Sequence, residues 1–233
     1  MGVGEAQRAR GREPAGVVAF SPRTRRRFLL WGCACIVICL GLSALAARRP
    51  DVMAGWDRLL QLGPDRWRGA APWLESPLVW VSNAFGTAAS TIATALVAAL
   101  LIARKQHRAA VYVVLVIAGT SLVTAVLKRY VDLARPVVVH PIIEYASSAM
   151  PSGHASNIAA AVTAACVLSA LLVSRRALRR VLVVGVLVAL VVGLDRLMLG
   201  VHTPTEVVAG YALGVGMGLF TAFFVNPTMR RRN

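Results

Sequence analysis

Basic and histidine side chains recur at three places in this otherwise apolar sequence. These places are Lys128 with Arg135 and Pro136, the tetrapeptide from Pro151 to His154, and Arg196 with His202. Cations offset the charge of a phosphate dianion, and the free N–H groups at a helix start add further donors. His202 has the chemistry to attack phosphorus while His154 protonates the departing oxygen. Together the clusters predict phosphoryl transfer through a histidine nucleophile with a separate general acid.

Each cluster taken alone has a simpler explanation. Lys128 and Arg135 fit a solvated surface outside a membrane, and Pro151–His154 fits an ordinary capped helix start. Arg196 fits an arginine that extends to the outer membrane interface. All three clusters nevertheless fall on one predicted side of the membrane, at the ends and starts of neighbouring spans. A shared anion site explains that agreement, whereas three separate explanations do not.

Glu206 has two roles open to it. Thr203-Pro204-Thr205-Glu206 matches a capping box at the start of a helix. Glu206 also follows His202 by one helical turn, so its carboxylate can fix the tautomer of the imidazole. A carboxylate has enough lone pairs to serve both roles.

The composition is that of a membrane protein. Of the 233 residues, 57% are hydrophobic and 15% are charged, and the mean hydropathy is +0.65. A net charge of +16 suggests nucleic acid at first, but the charges lie in short tracts between apolar runs, as membrane topology requires. We therefore expect a polytopic α-helical membrane protein embedded in a lipid bilayer, with no nucleic-acid partner.

Six apolar segments are long enough to cross a bilayer. The predicted spans are Phe28–Ala47, Pro77–Ala103, Ala109–Leu127, Gly153–Val173, Val181–Val201 and Thr205–Val225. The predicted fold class is thus all-α, a six-transmembrane-helix bundle. Residues 1–27 are predicted to be a disordered basic cytoplasmic tail, 28–227 the membrane domain with its motif-bearing core at 75–225, and 228–233 a second basic tail.

The distribution of Lys and Arg predicts the orientation. Seventeen of the 26 lie on one side of the predicted spans, which should be cytoplasmic with both termini inside. The three motifs then face the periplasmic or extracellular side. Residues 24–29 also resemble a twin-arginine export signal with a cleavage site near Ala46. The following apolar run is too long for a typical signal core, and this favours a first membrane span.

Two further patterns concern packing and lipid. Four of the five tryptophans lie between the first span and the start of the second, where Trp56 belongs to an amphipathic repeat. This pattern fits either an aromatic belt or a platform that guides a lipid headgroup. Gly210, Gly214 and Gly218 form a smooth helix face, which favours close packing within the bundle over dimerisation. The four cysteines lie in apolar runs and form no metal or disulfide motif.

The three clusters resemble the motifs of the type 2 phosphatidic acid phosphatase (PAP2) family, K-x6-R-P, P-S-G-H and S-R-x5-H-x3-D. The resemblance covers roughly residues 75–225 and implies a six-helix membrane fold. It also implies a phosphohistidine on His202, with His154 as the acid and Glu206 in place of the motif aspartate. The residues that it implies for cradling the phosphate are Lys128, Arg135, Ser152, Gly153 and Arg196. Such hydrolysis needs neither metal nor cofactor.

Two positions depart from the family pattern. Asp195 replaces the motif serine, and an acid there repels phosphate unless it points away or pairs with a cation. No phosphate contact is therefore assigned to Asp195. Glu206 keeps the carboxylate but adds a methylene, so it can still orient His202 with altered geometry.

The predicted function is hydrolysis of a membrane lipid phosphate or diphosphate at the outer face of a bacterial plasma membrane. Candidate substrates are phosphatidic acid, phosphatidylglycerol phosphate and polyprenyl (for example undecaprenyl) phosphates or diphosphates. The alternative is a lipid-binding or transport protein that keeps the phosphate cradle but lacks turnover. A soluble vanadate-dependent haloperoxidase shares the motifs but not the spans, and a purely structural role leaves the motifs unexplained. The sequence leaves the oligomeric state open.

Overall fold

The computed structural model describes residues 16–58, 62–137 and 141–230, and these form nine α-helices and two short strands. The helices are α1 (Pro22–Arg48), α2 (Pro50–Asp57), α3 (Pro64–Trp67), α4 (Glu75–Ala84), α5 (Thr87–Ala103), α6 (His107–Val131), α7 (Gly153–Ala170), α8 (Arg175–Met198) and α9 (Pro204–Val225). A 3₁₀ turn at Pro72–Leu74 precedes α4, and the strands are β1 (Val17–Val18) and β2 (Met229–Arg230).

The first helix begins earlier than the sequence predicted. Ser21 is its N-cap, accepting a hydrogen bond from the Thr24 amide at 3.2 Å, and Pro22 occupies the first turn. A proline there loses no helical hydrogen bond, so the basic run that follows continues into the helix. The predicted tail boundary at residue 27 is therefore wrong. β1 pairs with β2 in an antiparallel register that joins Val17 to Arg230, so the predicted C-terminal tail is also partly structured. Residues 1–15 and 231–233 of the predicted tails lie outside the described part.

Within the described part of the chain, five helices are long and apolar enough to span a membrane, and a sixth span results if α4 and α5 are counted together. The predicted continuous helix over 77–103 is wrong. It breaks between Ala84 and Thr87, with a 45° bend between the two parts. Gly86 is the N-cap of α5 in an extended conformation. The flexible glycine and the polar Ser82 and Asn83 before it explain why the chain turns here.

Helix α9 lies at the centre of the bundle, between α1 and α7. A Cβ on Gly214 would lie 2.2 Å from the Ser156 carbonyl oxygen of α7. A Cβ on Gly32 of α1 would similarly lie 2.8 Å from the Phe220 backbone nitrogen of α9. Only glycine allows the backbones to approach so closely. The glycine face of α9 therefore packs within the bundle, as the sequence predicted.

The helix directions give the bundle two ends. At one end lie the end of α6, the start of α7, the end of α8 and the start of α9, and we call this the site end. At the other lie the two strands, the α5–α6 turn and the α7–α8 turn, and we call this the far end.

Helices α2 and α3 cover the site end. Asp57 of α2 is buried and accepts hydrogen bonds from the Thr205 backbone amide at 3.0 Å and hydroxyl at 2.8 Å. Trp67 Nε1 of α3 donates to the Met198 carbonyl oxygen at 2.9 Å. Both ends of the α8–α9 turn are thus attached to this outer segment. Trp56, in contrast, is 68% exposed on the outer surface, and Leu59 and Leu60 of the predicted repeat lie outside the described residues.

Candidate active site

His202 lies in the α8–α9 turn, and its two ring nitrogens face different partners. Nδ1 is 2.7 Å from Glu206 Oε2, and a carboxylate accepts, so Nδ1 carries the proton. Nε2 is then a lone pair, 3.3 Å from Nη1 of Arg135. His202 is only 6% exposed. The arrangement is that of a neutral, oriented imidazole with its basic nitrogen directed at a cation.

Glu206 performs both of the roles that the sequence left open. The capping box at the start of α9 is formed, with the Thr203 amide donating to Glu206 Oε2 at 3.2 Å. The same oxygen accepts from His202. Because the helix start fixes the carboxylate, it also fixes the orientation of the imidazole.

Helix α6 is capped at its C-terminus by Asp132, whose backbone has a left-handed conformation. Lys128 lies before this cap and Arg135 lies after it. Lys128 Nζ donates to the Ser148 carbonyl oxygen. Arg135 donates from Nε to the Ser147 carbonyl oxygen at 2.9 Å and from Nη1 to the Val201 carbonyl oxygen at 2.7 Å. Both cations are therefore held by neutral carbonyl groups, and their charges are not cancelled by these partners.

His154 lies in the first turn of α7, with Nε2 3.0 Å from the Ser82 carbonyl oxygen. A carbonyl oxygen only accepts, so the His154 proton is on Nε2. Ser152 is the N-cap residue of α7, as predicted, but its hydroxyl makes no capping hydrogen bond. Among the described side chains its Oγ is one of the few buried oxygens with no partner. Gly153 has only the Thr124 methyl group, 3.8 Å away, beside its missing side chain.

Arg196 is fully buried in the last turn of α8. Its Nε donates to Asp195 Oδ2 at 2.8 Å, and Nη2 donates to the same oxygen. Nη1 lies 3.1 Å from the Tyr145 hydroxyl and 3.4 Å from His154 Nε2. Asp195 therefore pairs with a cation, which is one of the two arrangements that the sequence left open.

Tyr145, in the loop before α7, was missed by the sequence analysis. Its ring lies 4.7 Å from the Arg135 guanidinium carbon, and its hydroxyl is near both Arg196 and, at 3.3 Å, Ser82 Oγ. No motif includes this residue, and a single tyrosine in a loop has no spacing that marks it. Only the three-dimensional arrangement shows that it joins the two arginines.

The predicted residues come together through this network of contacts. His202 touches Arg135, Arg135 stacks on Tyr145, Tyr145 bonds Arg196, and Arg196 touches His154. Lys128 joins through Ser148, next to the residue that holds Arg135. Ser152 joins through its backbone amide, which donates to the Glu206 carbonyl oxygen at 3.1 Å. The three sequence clusters thus form one cationic site.

Two cavities adjoin the site. One, of about 390 Å³, lies between the outer segment and the α8–α9 turn and is lined by Arg135, His202 and Glu206. The other, of about 300 Å³, is almost wholly apolar and runs between α5, α6 and α7. Its wall begins at Phe85, beside Gly86, where an added Cβ would lie 3.7 Å from His154 Nε2. One cavity therefore lies beside His202, and the apolar groove begins near His154.

The electrostatics keep Nε2 of His202 unprotonated. Burial, followed by the charges of Arg135, Lys128 and Arg196, holds the pKa of His202 well below its usual value of 6.5. Burial also lowers the pKa of Arg135, although a guanidinium stays charged at any physiological pH. The cluster consequently attracts an anion while His202 remains neutral.

The chain is similar to known proteins in sequence and in fold. The sequence profile of the PAP2 superfamily matches residues 109–230. Phosphatidylglycerophosphatase B of Bacillus subtilis (strain 168) is 33% identical over 104 residues, which is 43% of this chain and 51% of that protein. The match thus spans about half the length of that relative. The fold is similar to the crystal structure of a transmembrane PAP2 type phosphatidylglycerolphosphate phosphatase from Bacillus subtilis, with a TM-score of 0.69, 22% identity, and coverage of 83% of this chain and 94% of that one.

Proposed function

The chain belongs to the PAP2 superfamily, and we propose that it is a metal-independent phosphatase acting on a lipid phosphate or diphosphate at the outer face of the plasma membrane. The observation that carries this proposal is the His202 geometry. One ring nitrogen is held by Glu206, and the other presents a lone pair to a group of cations. This is what nucleophilic attack on a bound phosphate anion requires.

In the first step, His202 Nε2 attacks phosphorus as the bond from phosphorus to the lipid oxygen breaks. Arg135 Nη1 lies 3.3 Å from that lone pair in the unliganded site, so the guanidinium has to move aside for the phosphate to bind between them. The ring becomes a phosphorylated imidazolium, and its new positive charge is stabilised by the Glu206 carboxylate. The adjacent capping interaction keeps this carboxylate in place.

The leaving lipid oxygen takes the Nε2 proton of His154, which contacts the Ser82 carbonyl oxygen in the unliganded site. His154 acts as this acid in its doubly protonated form, with a second proton on Nδ1, and becomes neutral. In the second step, water attacks the phosphohistidine and gives a proton to His154. Phosphate leaves, and both histidines return to their starting states. The same residue thus acts first as acid and then as base.

Two cations supply the positive charge that a metal ion supplies in other phosphatases. Lys128 and Arg135 are bound to neutral oxygens, so their charge is available to the phosphate. Ser152 Oγ is buried without a partner, and we propose that it donates to a phosphate oxygen. Gly153 leaves room for the phosphate at the start of α7, where free backbone amides add donors.

The two adjoining cavities support an amphiphilic substrate. The apolar groove along α5, α6 and α7 suits a hydrocarbon tail at membrane depth, and the cleft beside His202 suits a headgroup. By analogy with the names of its relatives, phosphatidylglycerol phosphate is the first substrate to test. The basic far end supports a cytoplasmic position for both termini, and hence six spans with the site on the periplasmic or extracellular side.

A second candidate function is favoured by Asp195. Because Nε and Nη2 of Arg196 both face this carboxylate, the phosphate cradle has fewer free donors than the family motif suggests. A protein that binds or moves lipid phosphates without hydrolysing them would tolerate this change.

The deciding experiment measures phosphate release by the purified full-length protein. The panel contains phosphatidylglycerol phosphate, phosphatidic acid and undecaprenyl diphosphate, each with and without EDTA. His202→Ala should lower the rate by at least about 10³-fold, as expected for loss of a nucleophile. His107 is exposed and begins α6 at the far end of the bundle. His107→Ala is therefore the matched control and should retain full activity.

Three results separate the proposals. An active His202→Ala protein would refute the nucleophile assignment. Loss of activity in EDTA that is restored by a divalent metal would refute metal independence. Lipid movement between vesicle leaflets with no phosphate release from any substrate would favour the transport function.

A further inference from the structure

A second cation-lined cavity lies at the far end of the bundle, away from the histidines. It has a volume of about 920 Å³ and lies between the α5–α6 turn, the α7–α8 turn and strand β2. Leu101, Leu172 and Met229 form part of its apolar wall. The three cations that line it are Arg104, Lys105 and Arg230.

The cavity is held together by contacts between distant parts of the chain. Gln106 binds the backbone of Arg230 twice, accepting from its amide at 3.0 Å and donating to its carbonyl oxygen at 3.3 Å. β1 pairs with the same residue from the other side. Lys105 turns the chain in a left-handed conformation with φ of 57°. Residues more than a hundred positions apart are therefore fixed around one opening.

None of the acidic residues that the structure describes is at this end of the bundle. They lie in the outer segment or at the site end and are Asp51, Asp57, Asp65, Glu75, Asp132, Glu144, Asp195 and Glu206. The ion pairs found among the described side chains are likewise all there. None of the carboxylates that the structure describes is therefore available to the three cavity cations, and their charge is complementary to an anion.

We propose that this cavity binds an anionic phospholipid of the adjoining leaflet. Its phosphate would lie among Arg104, Lys105 and Arg230, with an acyl chain against Leu172 and Met229. Basic pockets at the ends of membrane helices recognise anionic headgroups through the same combination of charge and apolar contact. The site is separate from the phosphatase site and does not depend on its activity.

The test counts lipids bound to the full-length protein by native mass spectrometry in detergent. Phosphatidylserine is the probe, because it is neither a phosphate monoester nor a product of the proposed reaction, and phosphatidylcholine is the neutral comparison. Replacing all three cavity cations by glutamine should weaken the tightest phosphatidylserine site by about 100-fold. The matched control removes the same charge from the first turns of α8, outside the cavity lining, and should change binding by less than about 5-fold. The two variants are R104Q/K105Q/R230Q and R176Q/R179Q/R180Q.

The outcomes are decisive in both directions. Equal weakening by the two triple variants would show a diffuse basic surface and overturn the proposal, as would no weakening by either. Glycerophosphoserine carries the same headgroup without acyl chains. If it bound as tightly as the whole lipid, the apolar wall would contribute nothing to binding, and the proposal would also be overturned. Should the cavity triple variant fail to fold, Arg104→Gln and Arg230→Gln alone give the same test, each with an expected loss of about 5-fold.

Discussion

Tyr145 is the residue through which the proposed phosphate cradle can be tested most sharply. Arg135 and Arg196 carry like charges near each other, and a carboxylate between them would compete with the substrate phosphate. The tyrosine ring attracts Arg135 through its face, and the hydroxyl accepts from Arg196. It thus fixes two cations without cancelling their charge, so its loss should weaken binding of phosphate more than it changes the chemical step.

Two substitutions separate the two contacts. Tyr145→Phe removes the hydrogen bond to Arg196, worth about 1–2 kcal/mol for a charged donor, and keeps the ring. Tyr145→Leu also removes the cation–π contact, worth a further ~1 kcal/mol at a partly buried site. The inhibition constant for inorganic phosphate should therefore rise by about 10-fold in the first variant and by about 100-fold in the second.

The assay follows inhibition of lipid-phosphate hydrolysis by inorganic phosphate, together with separate kcat and KM values. We expect KM to rise with the inhibition constant while kcat falls less. Tyr130→Leu is the matched control, because Tyr130 is 89% exposed near the end of α6, and it should change neither constant by more than about 2-fold. An unchanged inhibition constant in Tyr145→Leu, or a fall in kcat alone, would refute the positioning role.

Three further predictions follow from packing and charge. Asp57→Asn should lower stability by about 1–2 kcal/mol in thermal unfolding, because the amide has one oxygen to accept the two hydrogen bonds that the first turn of α9 donates. The exposed Asp51 is the control, and Asp51→Asn should change stability by under about 0.5 kcal/mol. Gly214→Ala should cost at least about 1–3 kcal/mol, since its Cβ would lie 2.2 Å from a backbone oxygen, while Gly41→Ala, with open space around it, should be tolerated. The lowered pKa of His202 keeps this proposed nucleophile neutral, so the acid limb of kcat/KM should lie below pH 6.5 once substrate ionisation is corrected. Below pH 6.5 the unfolded chain binds a proton at His202 that the native chain does not, so the contribution of His202 to native stability should decrease as the pH falls. Equal losses in a variant and its control, or an acid limb at 6.5, would contradict these predictions.

Much of the fold could be predicted because apolar length and helix-start chemistry are local signals. Each predicted span corresponds to a helix of the structure, or to the α4–α5 pair, and the glycine face of α9 packs as expected. The break at Gly86 could not be predicted, because one glycine inside an apolar run is usually tolerated. The start of α1 was missed because charged residues obscured Ser21 and Pro22, a capping signal that was available in the sequence.

The same distinction holds for the site: contacts within a sequence cluster could be predicted, and contacts between clusters could not. Spacing within each cluster placed His202 beside Glu206 and identified the helix starts. The contacts between clusters depend on long-range packing, and Tyr145 and Asp57 act only through such contacts. In the sequence Asp57 is one charged residue among several between the first two predicted spans, whereas in the structure it is a buried acceptor for the start of α9.

Asp195 illustrates how the geometry changes an argument made from residue types. A buried arginine with no counter-charge is costly in the unliganded protein, and Asp195 supplies that charge to Arg196 in the last turn of α8. The pair is neutral together, which leaves Lys128 and Arg135 as two uncompensated cations facing one phosphate dianion. The remaining acid, Glu206, gains its counter-charge when His202 becomes a phosphorylated imidazolium. The carboxylate that seemed to repel the substrate is therefore compatible with the proposed chemistry, because the charges balance in the phosphorylated state.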